Sequence, residues 1–167
     1  MSQGQFNSVY QSWSSDGEQL ESRVLNGAFT SFSCRVGDHL YSGAGRIQLW
    51  LADGTIRTLG QDFVAFGCDE HLMVAVRDAN EKRWMEGYSS QGIRLWSREI
   101  EKIAGQKVMP PIVQNGHVAL ITADLPSTSS LYERFRVRRF TTNGTDIGDD
   151  TVEVRGLVMF ADDFEND

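Results

Sequence analysis

The three histidines of this 167-residue chain are the first residues whose type and placement suggest chemistry. They are His39, His71 and His117, and each stands immediately before two apolar residues in a similar local sequence. Imidazole nitrogens are common zinc ligands, at about 2.0 Å from the metal. Matched positions in separate copies of a repeat would be too far apart to share one ion, since even neighbouring strands lie about 4.8 Å apart. We therefore predict no metal site and interpret the histidines as polar residues next to turns.

No catalytic motif can be recognised in the sequence. The GxSxG, P-loop, HExxH and GxGxxG patterns are all absent. A glycosidase needs two facing carboxylates, but with 23 Asp and Glu residues some pair will be close in any fold. We predict a non-enzymatic chain with no catalytic residue and no cofactor, and keep a hydrolase with carboxylates at a central channel as a weaker alternative.

A basic stretch interrupts an otherwise acidic chain. Arg134, Arg136 and Arg138 alternate there with Phe135 and Val137. Successive side chains of a β-strand point to opposite faces, so the arginines would share one face and the apolar residues the other. One interpretation is a solvated face balanced by local carboxylates, and the other is a site for an anion or an acidic partner.

Four aromatic residues each stand four positions before a glycine, and they mark a repeat. The first two intervals between these glycines are nearly equal, and the third is longer. Asp-Gly and Asn-Gly in this setting favour tight hairpin turns. We interpret the aromatics as packing residues, and a stacking platform for sugars is the alternative. The four pairs are Trp13 with Gly17, Trp50 with Gly54, Tyr88 with Gly92, and Phe140 with Gly144.

The elements that must position these residues are short strands. We predict four strands in each unit, named a to d. The histidine precedes strand b, and the aromatic residue ends strand c. Four-stranded units with a period near 40 residues are typical of propeller blades, whereas a β-trefoil would need three units. We therefore predict one all-β domain over residues 1–167. It is a small β-propeller of about four blades, each a four-stranded antiparallel meander.

The phase of the repeat predicts how the ring closes. The chain opens near a strand c and ends near a strand a, so strands from the two termini would pair in one blade. An open ring, or one completed by a second copy, is the alternative. Both a monomer and a homodimer therefore stay open.

A segment between Gly92 and Gly144 resembles the repeats of bacterial β-propellers of the quinoprotein-like and related groups. The matching residues are Met109-Pro110-Pro111-Ile112-Val113-Gln114-Asn115-Gly116-His117-Val118. The resemblance implies the propeller fold and a bacterial setting. It transfers no active-site residue, because the quinone-handling and metal-binding residues of those enzymes have no counterpart in this chain.

The composition restricts the classes of partner and the cellular compartment that we expect for this protein. A formal charge of −7 argues against nucleic-acid binding, and the apolar runs are too short to span a membrane. The N-terminus lacks the pattern of a secretory signal, so we expect a soluble, cytoplasmic protein. Cys34 and Cys68 are then expected to be reduced, buried and apolar in character, without a disulfide between them. Ser97 to Gly105 is the one segment with a helical pattern.

The longer third interval between the glycines is the best indicator of function. Its extra residues fall in Ser97–Gln106, between strands d and a, and in Ala123–Glu133, between b and c. Both connections would emerge at the end opposite the glycine turns, together with Asp78–Lys82, and lengthened loops on one face of a repeat protein are usual binding surfaces. Beside the three arginines, the predicted partner contacts are Arg98, Glu99, Lys102, Leu125, Leu131 and Tyr132.

We accordingly predict a non-catalytic protein–protein interaction module whose partner is another protein. An inhibitor or immunity-type protein for a larger basic partner would suit its size and acidity. The alternative is a carbohydrate-binding, lectin-like propeller, which would require exposed side chains at Trp13 and Trp50.

Overall fold

The computed structural model describes residues 7–13, 16–26, 32–124 and 132–155, and the regular structure in these ranges consists of antiparallel strands alone. The all-β prediction is therefore confirmed. The strands are β1 (Asn7–Trp13), β2 (Gln19–Asn26), β3 (Phe32–Val36), β4 (His39–Trp50), β5 (Ile56–Cys68), β6 (Met73–Ala79), β7 (Lys82–Tyr88), β8 (Arg94–Ile100), β9 (Gln106–Val108), β10 (Ile112–Gln114), β11 (His117–Asp124), β12 (Tyr132–Thr141) and β13 (Asp146–Arg155).

The strands form three sheets in sequence order. Strands β3 to β8 make one six-stranded meander, and β10 to β13 make a second meander in which β9 also pairs with β11. Strands β1 and β2 form a separate hairpin. Consecutive pairing follows from the short turns, because a two-residue connection returns the chain beside the strand it has just left. No helix long and apolar enough to cross a membrane occurs in the ranges described above.

The predicted helix at Ser97–Gly105 is wrong. Ser97 lies opposite Glu86 in the ladder between β7 and β8, and the strand continues to Ile100. Trp96 and Ile100 lie on the face that packs against the second apolar core. A spacing of a few residues between apolar positions fits a strand and a helix equally well over so short a window, and pairing with β7 decided between them.

Two of the predicted units have the expected four strands. In the unit with Gly92, the last part of β5 and then β6, β7 and β8 follow the order a, b, c and d. In the unit with Gly144, strands β10 to β13 do the same. The β1–β2 hairpin supplies strands c and d of the unit with Gly17.

The unit with Gly54 departs from the prediction, because one strand, β4, runs through the positions expected for b and c. Its ladder with β5 is irregular between Gly45 and Ile47. Gly43 and Gly45 have φ of 152° and 72° there. A Cβ atom on Gly43 would lie 1.9 Å from the carbonyl oxygen of Arg46, so only glycine fits. The chain therefore bends at these glycines and does not turn back.

Two apolar cores lie on opposite faces of β6. Met73 and Ala75 belong to the first core, and Val74 and Val76 to the second. Burying each such Val or Met side chain stabilises the fold by about 1.5–3 kcal/mol. Because β6 contributes buried side chains to both cores, it connects them. The first core is completed by Val36, Tyr41, Ile47, Leu49, Phe63, Phe66 and Tyr88, and the second by Leu72, Met85, Ile100, Val113, Val118, Leu120 and Phe140.

The first strands of successive units lie against each other. The Gly37 amide donates to the Glu70 carbonyl at 2.9 Å. A Cβ atom on Gly67 would lie 1.9 Å from the carbonyl oxygen of Pro111, so the backbones approach closely there. The first strands of these three successive units therefore approach one another closely.

The expectation that Cys34 and Cys68 stay reduced is wrong in this structure. Their sulfur atoms are bonded, and their Cα atoms are 6.0 Å apart, inside the usual range for a disulfide. The two cysteines occupy matched positions in β3 and β5, and they meet because these first strands of successive units approach each other without pairing.

Candidate binding rim

One end of β6, β7 and β8 carries a dense group of charged residues. We call residues 78–83 and 99–102 the rim. The β6–β7 turn is built on Asn80 and Glu81, whose φ angles of 52° and 65° suit a two-residue hairpin. Lys82 Nζ lies 2.8 Å from Glu99 Oε2, and Lys102 Nζ lies 3.3 Å from Asp78 Oδ2. The predicted meeting of the connections at 78–82 and 97–106 at one end of the strands is therefore confirmed.

The second meander also reaches the rim. Arg136 Nη1 binds Glu101 Oε2 at 2.9 Å, and Gln106 Nε2 donates to Asp124 Oδ1 at 2.8 Å. Asp124 is the last described residue before the connection to β12. The glycine turns lie at the other end, where Trp96 Nε1 donates to the Thr142 carbonyl at 2.7 Å.

Three of the predicted contact residues can be located on or beside the rim. Arg98, Glu99 and Lys102 are all exposed. Leu125 and Leu131 lie outside the described residues. Tyr132 begins β12, and its side chain is likewise outside what the structure describes. That these residues contact a partner stays a prediction.

The arginines of β12 alternate as predicted, and two of them already bind carboxylates of the same chain. Arg136 Nη2 lies 2.8 Å from Asp149 Oδ2, and Arg138 Nη2 lies 2.7 Å from Asp146 Oδ2. Hydrogen bonds to Asp149 and Glu101 raise the pKa of Arg136. Arg134 is exposed and has interactions of its own. An external acidic group at Arg136 or Arg138 would have to displace these internal partners.

An open cleft of about 450 Å³ lies within the rim. It is lined by Glu81, Lys82, Arg83, Glu99, Ile100, Glu101 and Lys102. Its deepest charge is Arg83, whose residue surface is only 5% exposed. Nothing in the sequence singled out this arginine, because it stands in an ordinary charged run, Glu81-Lys82-Arg83, beside a turn.

Arg83 is held by a two-point contact with Asp78. Arg83 Nε donates to Asp78 Oδ1 at 2.7 Å, and Arg83 Nη2 donates to Asp78 Oδ2 at 3.0 Å. The hydrogen bond from Arg83, together with the charges of Arg83 and Lys102, outweighs desolvation and lowers the pKa of Asp78. The remaining nitrogen, Arg83 Nη1, is buried without a hydrogen-bond partner.

A second buried charge, Glu86, lies on the other face of β7 and is fully bonded. It is 1% exposed. Its carboxylate accepts hydrogen bonds from Tyr88 Oη at 2.6 Å, Arg77 Nη2 at 2.9 Å, Arg94 Nη1 at 3.2 Å and Ser97 Oγ at 3.3 Å. Burial, and then the neighbouring Glu86 carboxylate, raise the pKa of Tyr88. With its acceptors used internally, this cluster holds the sheet together and offers no free group for catalysis near neutral pH.

Three of the four aromatics that precede the glycine turns are buried, which confirms for these three that they pack in the protein interior. Trp50 is 8% exposed, Tyr88 6% and Phe140 0%. Trp50 Nε1 donates to Ser42 Oγ at 2.8 Å, so its polar edge is bonded as well. The side chain of Trp13 lies outside the described residues.

The histidines are separated from one another in different turns. His71 Nε2 lies 3.0 Å from Glu70 Oε1, and His117 Nδ1 lies 2.9 Å from the Asn115 carbonyl oxygen. His39 Nδ1 is buried without a partner. In the part of the chain that the structure describes, no three His, Cys, Asp or Glu side chains gather as metal ligands would.

Comparison with known proteins identifies no family. No protein-family profile and no curated protein matches the chain. Among the solved structures that resemble it are a subtype N10 neuraminidase-like protein of A/little yellow-shouldered bat/Guatemala/060/2010 and a subtype N11 neuraminidase-like protein of A/flat-faced bat/Peru/033/2010 (H18N11). The first is 10% identical over 72% of this chain and 44% of that protein, with a TM-score of 0.44. The second is 13% identical over 71% of this chain and 37% of that protein, with a TM-score of 0.43. This chain thus spans less than half of either protein, and likeness at this level says nothing about its function.

Proposed function

We propose that this chain is a non-catalytic protein-binding module that contacts its partner through the rim. The observation that carries the proposal is the cleft between the β6–β7 turn and residues 99–102, at the end of the strands opposite the glycine turns. Connecting loops on a rigid β scaffold are favoured sites of recognition, because they vary without disturbing the core.

The chemistry of the rim suits a protein surface better than a small apolar molecule. Small-molecule pockets are mostly apolar and enclosing, whereas charged residues make up all but one of the seven that line this cleft. Alternating charges such as Lys82 and Glu99 provide electrostatic complementarity, which sets specificity and association rate. Such a module can act as an inhibitor or immunity-type protein. This role requires a partner protein with a complementary charged surface.

The carbohydrate-binding alternative gains no support from the described residues. It requires exposed tryptophan at the positions before the glycine turns, and Trp50 is buried with its indole nitrogen bonded. The hydrolase alternative would need two facing carboxylates with a free environment. The carboxylates of Glu86, which is buried, and of Asp78, which is half-buried, both bind arginines.

We also propose that the sheets close into a ring of four units. The face of the second meander that points away from the second core carries half-exposed apolar residues, with Ile112 at 52% and Val152 at 47% exposed. The two apolar cores cover both faces of the unit with Gly92 and one face of each unit beside it. The β1–β2 hairpin, which carries strands c and d of the same repeat, is the element of this chain that would cover it.

Ring closure is tested with Val137→Asp, because Val137 lies on that apolar face. If the face is covered, the charge should lower the free energy of unfolding by about 2 kcal/mol in a urea titration. Closure by a second copy would instead make the sedimentation coefficient concentration-dependent, and the substitution would yield monomers. A change below about 0.5 kcal/mol in a protein that stays monomeric would contradict both forms of closure.

The function is tested by reversing charges at the two ends of the strands. The double variant Glu99→Lys and Lys102→Glu changes the rim without changing net charge. Its matched control, Asp53→Lys with Arg57→Glu, does the same at an exposed glycine turn. We expect the rim variant to lose a partner that wild type and control both capture from native cells, read by mass spectrometry. Equal capture by all three proteins would refute the rim as the binding surface.

A further inference from the structure

The guanidinium group of Arg83 is only partly bonded, although it is buried. Asp78 takes the edge formed by Nε and Nη2, and Nη1 is left without an acceptor. Buried side-chain donors nearly always have a partner, because an unpaired donor keeps the cost of leaving water without the gain of a new bond. Arg83 lines the rim cleft, so an acceptor brought by another molecule is the explanation that the position itself suggests.

The charges around Arg83 define what kind of acceptor fits. Asp78 is shared between two cations, Arg83 and Lys102, so this group of three carries one excess positive charge. The other cations beside the cleft are matched, since Lys82 binds Glu99 and Arg136 binds Glu101. One negative group would balance the charge of these three residues. The excess is local to them, because Glu81 brings the lining of the whole cleft to three carboxylates and three cations.

The geometry of the guanidinium edge that Asp78 leaves unpaired further restricts which acceptor group fits. With Nε engaged by Asp78, the edge formed by Nη1 and Nη2 presents parallel N–H groups in the plane of the guanidinium. That edge matches the two oxygens of a planar carboxylate, a geometry that lysine cannot reproduce. The contact with Asp78 holds the side chain in place before any ligand arrives, so little further ordering is required.

We propose that the rim cleft binds one carboxylate group of a partner polypeptide, on the Nη1–Nη2 edge of Arg83 with Lys102 beside it. This inference rests on the proposed function and specifies its chemistry. It assigns the acidic-partner role that the sequence suggested for Arg136 and Arg138 to a different arginine, one whose donors are not all used. Glu81 lines the same cleft and is exposed, so it opposes an incoming anion.

The proposal is tested with acetate as the probe, followed by NMR on ¹⁵N-labelled full-length protein at constant ionic strength. Acetate should shift the Arg83 side-chain signals and the backbone amides of the rim in a saturable way, with a millimolar dissociation constant. Acetamide, which has the same shape without the charge, should leave them unchanged. Shifts that grow linearly with acetate, or equal shifts with acetamide, would overturn the proposal.

Three variants provide the controls. Arg83→Lys should weaken acetate binding by about tenfold, because it keeps the charge and loses the forked edge. Lys102→Gln, at a more exposed position, should weaken it severalfold, and it covers the case in which Arg83→Lys does not fold. Glu81→Gln should strengthen binding, because it removes a like charge from the cleft. Acetate affinity unchanged in both Arg83→Lys and Lys102→Gln would overturn the assignment.

Further probes distinguish the source and kind of the anion. N-acetylglutamate amide represents an acidic side chain and N-acetylglycine a chain terminus, so the tighter binder identifies which carboxylate the cleft takes. Inorganic phosphate binding more tightly than both would overturn the carboxylate assignment. If acetate does not bind but the charge-reversed rim still loses its partner, the protein-binding function stands and this inference fails. If acetate binds but the charge-reversed rim keeps its partner, the carboxylate site at Arg83 stands and the rim is refuted as the partner-binding surface.

Discussion

The two faces of the β6–β7 pair carry the same kinds of residue in two different states. On one face the buried Glu86 carboxylate accepts bonds from Arg77, Arg94, Tyr88 and Ser97. On the other face the buried Arg83 has a bonded edge toward Asp78 and an unpaired nitrogen. A complete network stabilises the sheet, and an incomplete one retains the capacity to bind. The comparison shows that bonding state, more than residue type, distinguishes a structural charge from a candidate binding charge.

The largest effect is expected from removing Glu86. Glu86→Ala leaves the buried Tyr88 hydroxyl without its acceptor and separates two arginines from their carboxylate, so the free energy of unfolding should fall by about 4 kcal/mol. Urea denaturation followed by fluorescence measures this. Glu81→Ala, an exposed glutamate at the turn before the same strand, is the matched control and should change stability by less than about 0.5 kcal/mol. Equal losses in the two variants would remove the distinction between the faces.

The disulfide between Cys34 and Cys68 is expected to stabilise the face that carries Glu86, in addition to the hydrogen bonds of Glu86. Cys34 and Cys68 are separated by 34 residues and pack against the first core. Opening the loop with Cys34→Ser should cost about 3 kcal/mol, chiefly because the unfolded chain gains freedom. Dithiothreitol should destabilise wild type by a similar amount and leave the serine variant unchanged. Two titratable thiols in the native, non-reduced protein would contradict the bond.

A smaller effect is expected from removing Arg83. Asp78 keeps Lys102 and remains partly in contact with water, so Arg83→Ala should lower the free energy of unfolding by about 2 kcal/mol. The loss of stability is limited because Arg83→Ala also removes the buried Nη1 donor, which has no hydrogen-bond partner in the wild type. Urea denaturation of Arg83→Ala and Glu86→Ala under identical conditions gives the direct comparison. A loss at Arg83 larger than that at Glu86 would mean that the rim charge is primarily structural.

The smallest effect is expected from mild acidification. Burial would raise the pKa of Glu86, but hydrogen bonds from Tyr88 and Arg77 and the nearby arginine charges outweigh it, and the pKa lies below the ordinary 4.5. A lowered folded pKa means that the stabilisation is complete above the unfolded value and is lost as pH falls through the folded one. Stability should therefore be almost flat down to about pH 4.5 and then decline. The decline should be shallower in Glu86→Gln, and a stability that rises below pH 4.5 would contradict this.

The sequence was sufficient to predict the all-β class, the glycine turns and the meeting of residues 78–82 with residues 99–102. These features depend on local rules: alternation of apolar residues, and turns that require a positive φ. Where two local signals competed, the prediction was wrong, as at Ser97–Gly105. The continuous strand β4 was missed for a similar reason, because Gly43 and Gly45 permit a bend as readily as a turn.

The sequence by itself therefore determined an all-β chain of meandering strands with buried aromatics before its turns. Only the tertiary structure decided which charges are satisfied. Arg136 meets Glu101 across two sheets, Cys34 meets Cys68 across two units, and Arg83 keeps an open donor because Asp78 can cover only one of its edges. Such pairings depend on side chains from strands distant in the chain, and the distances and burial that govern their energies exist only once the strands have packed.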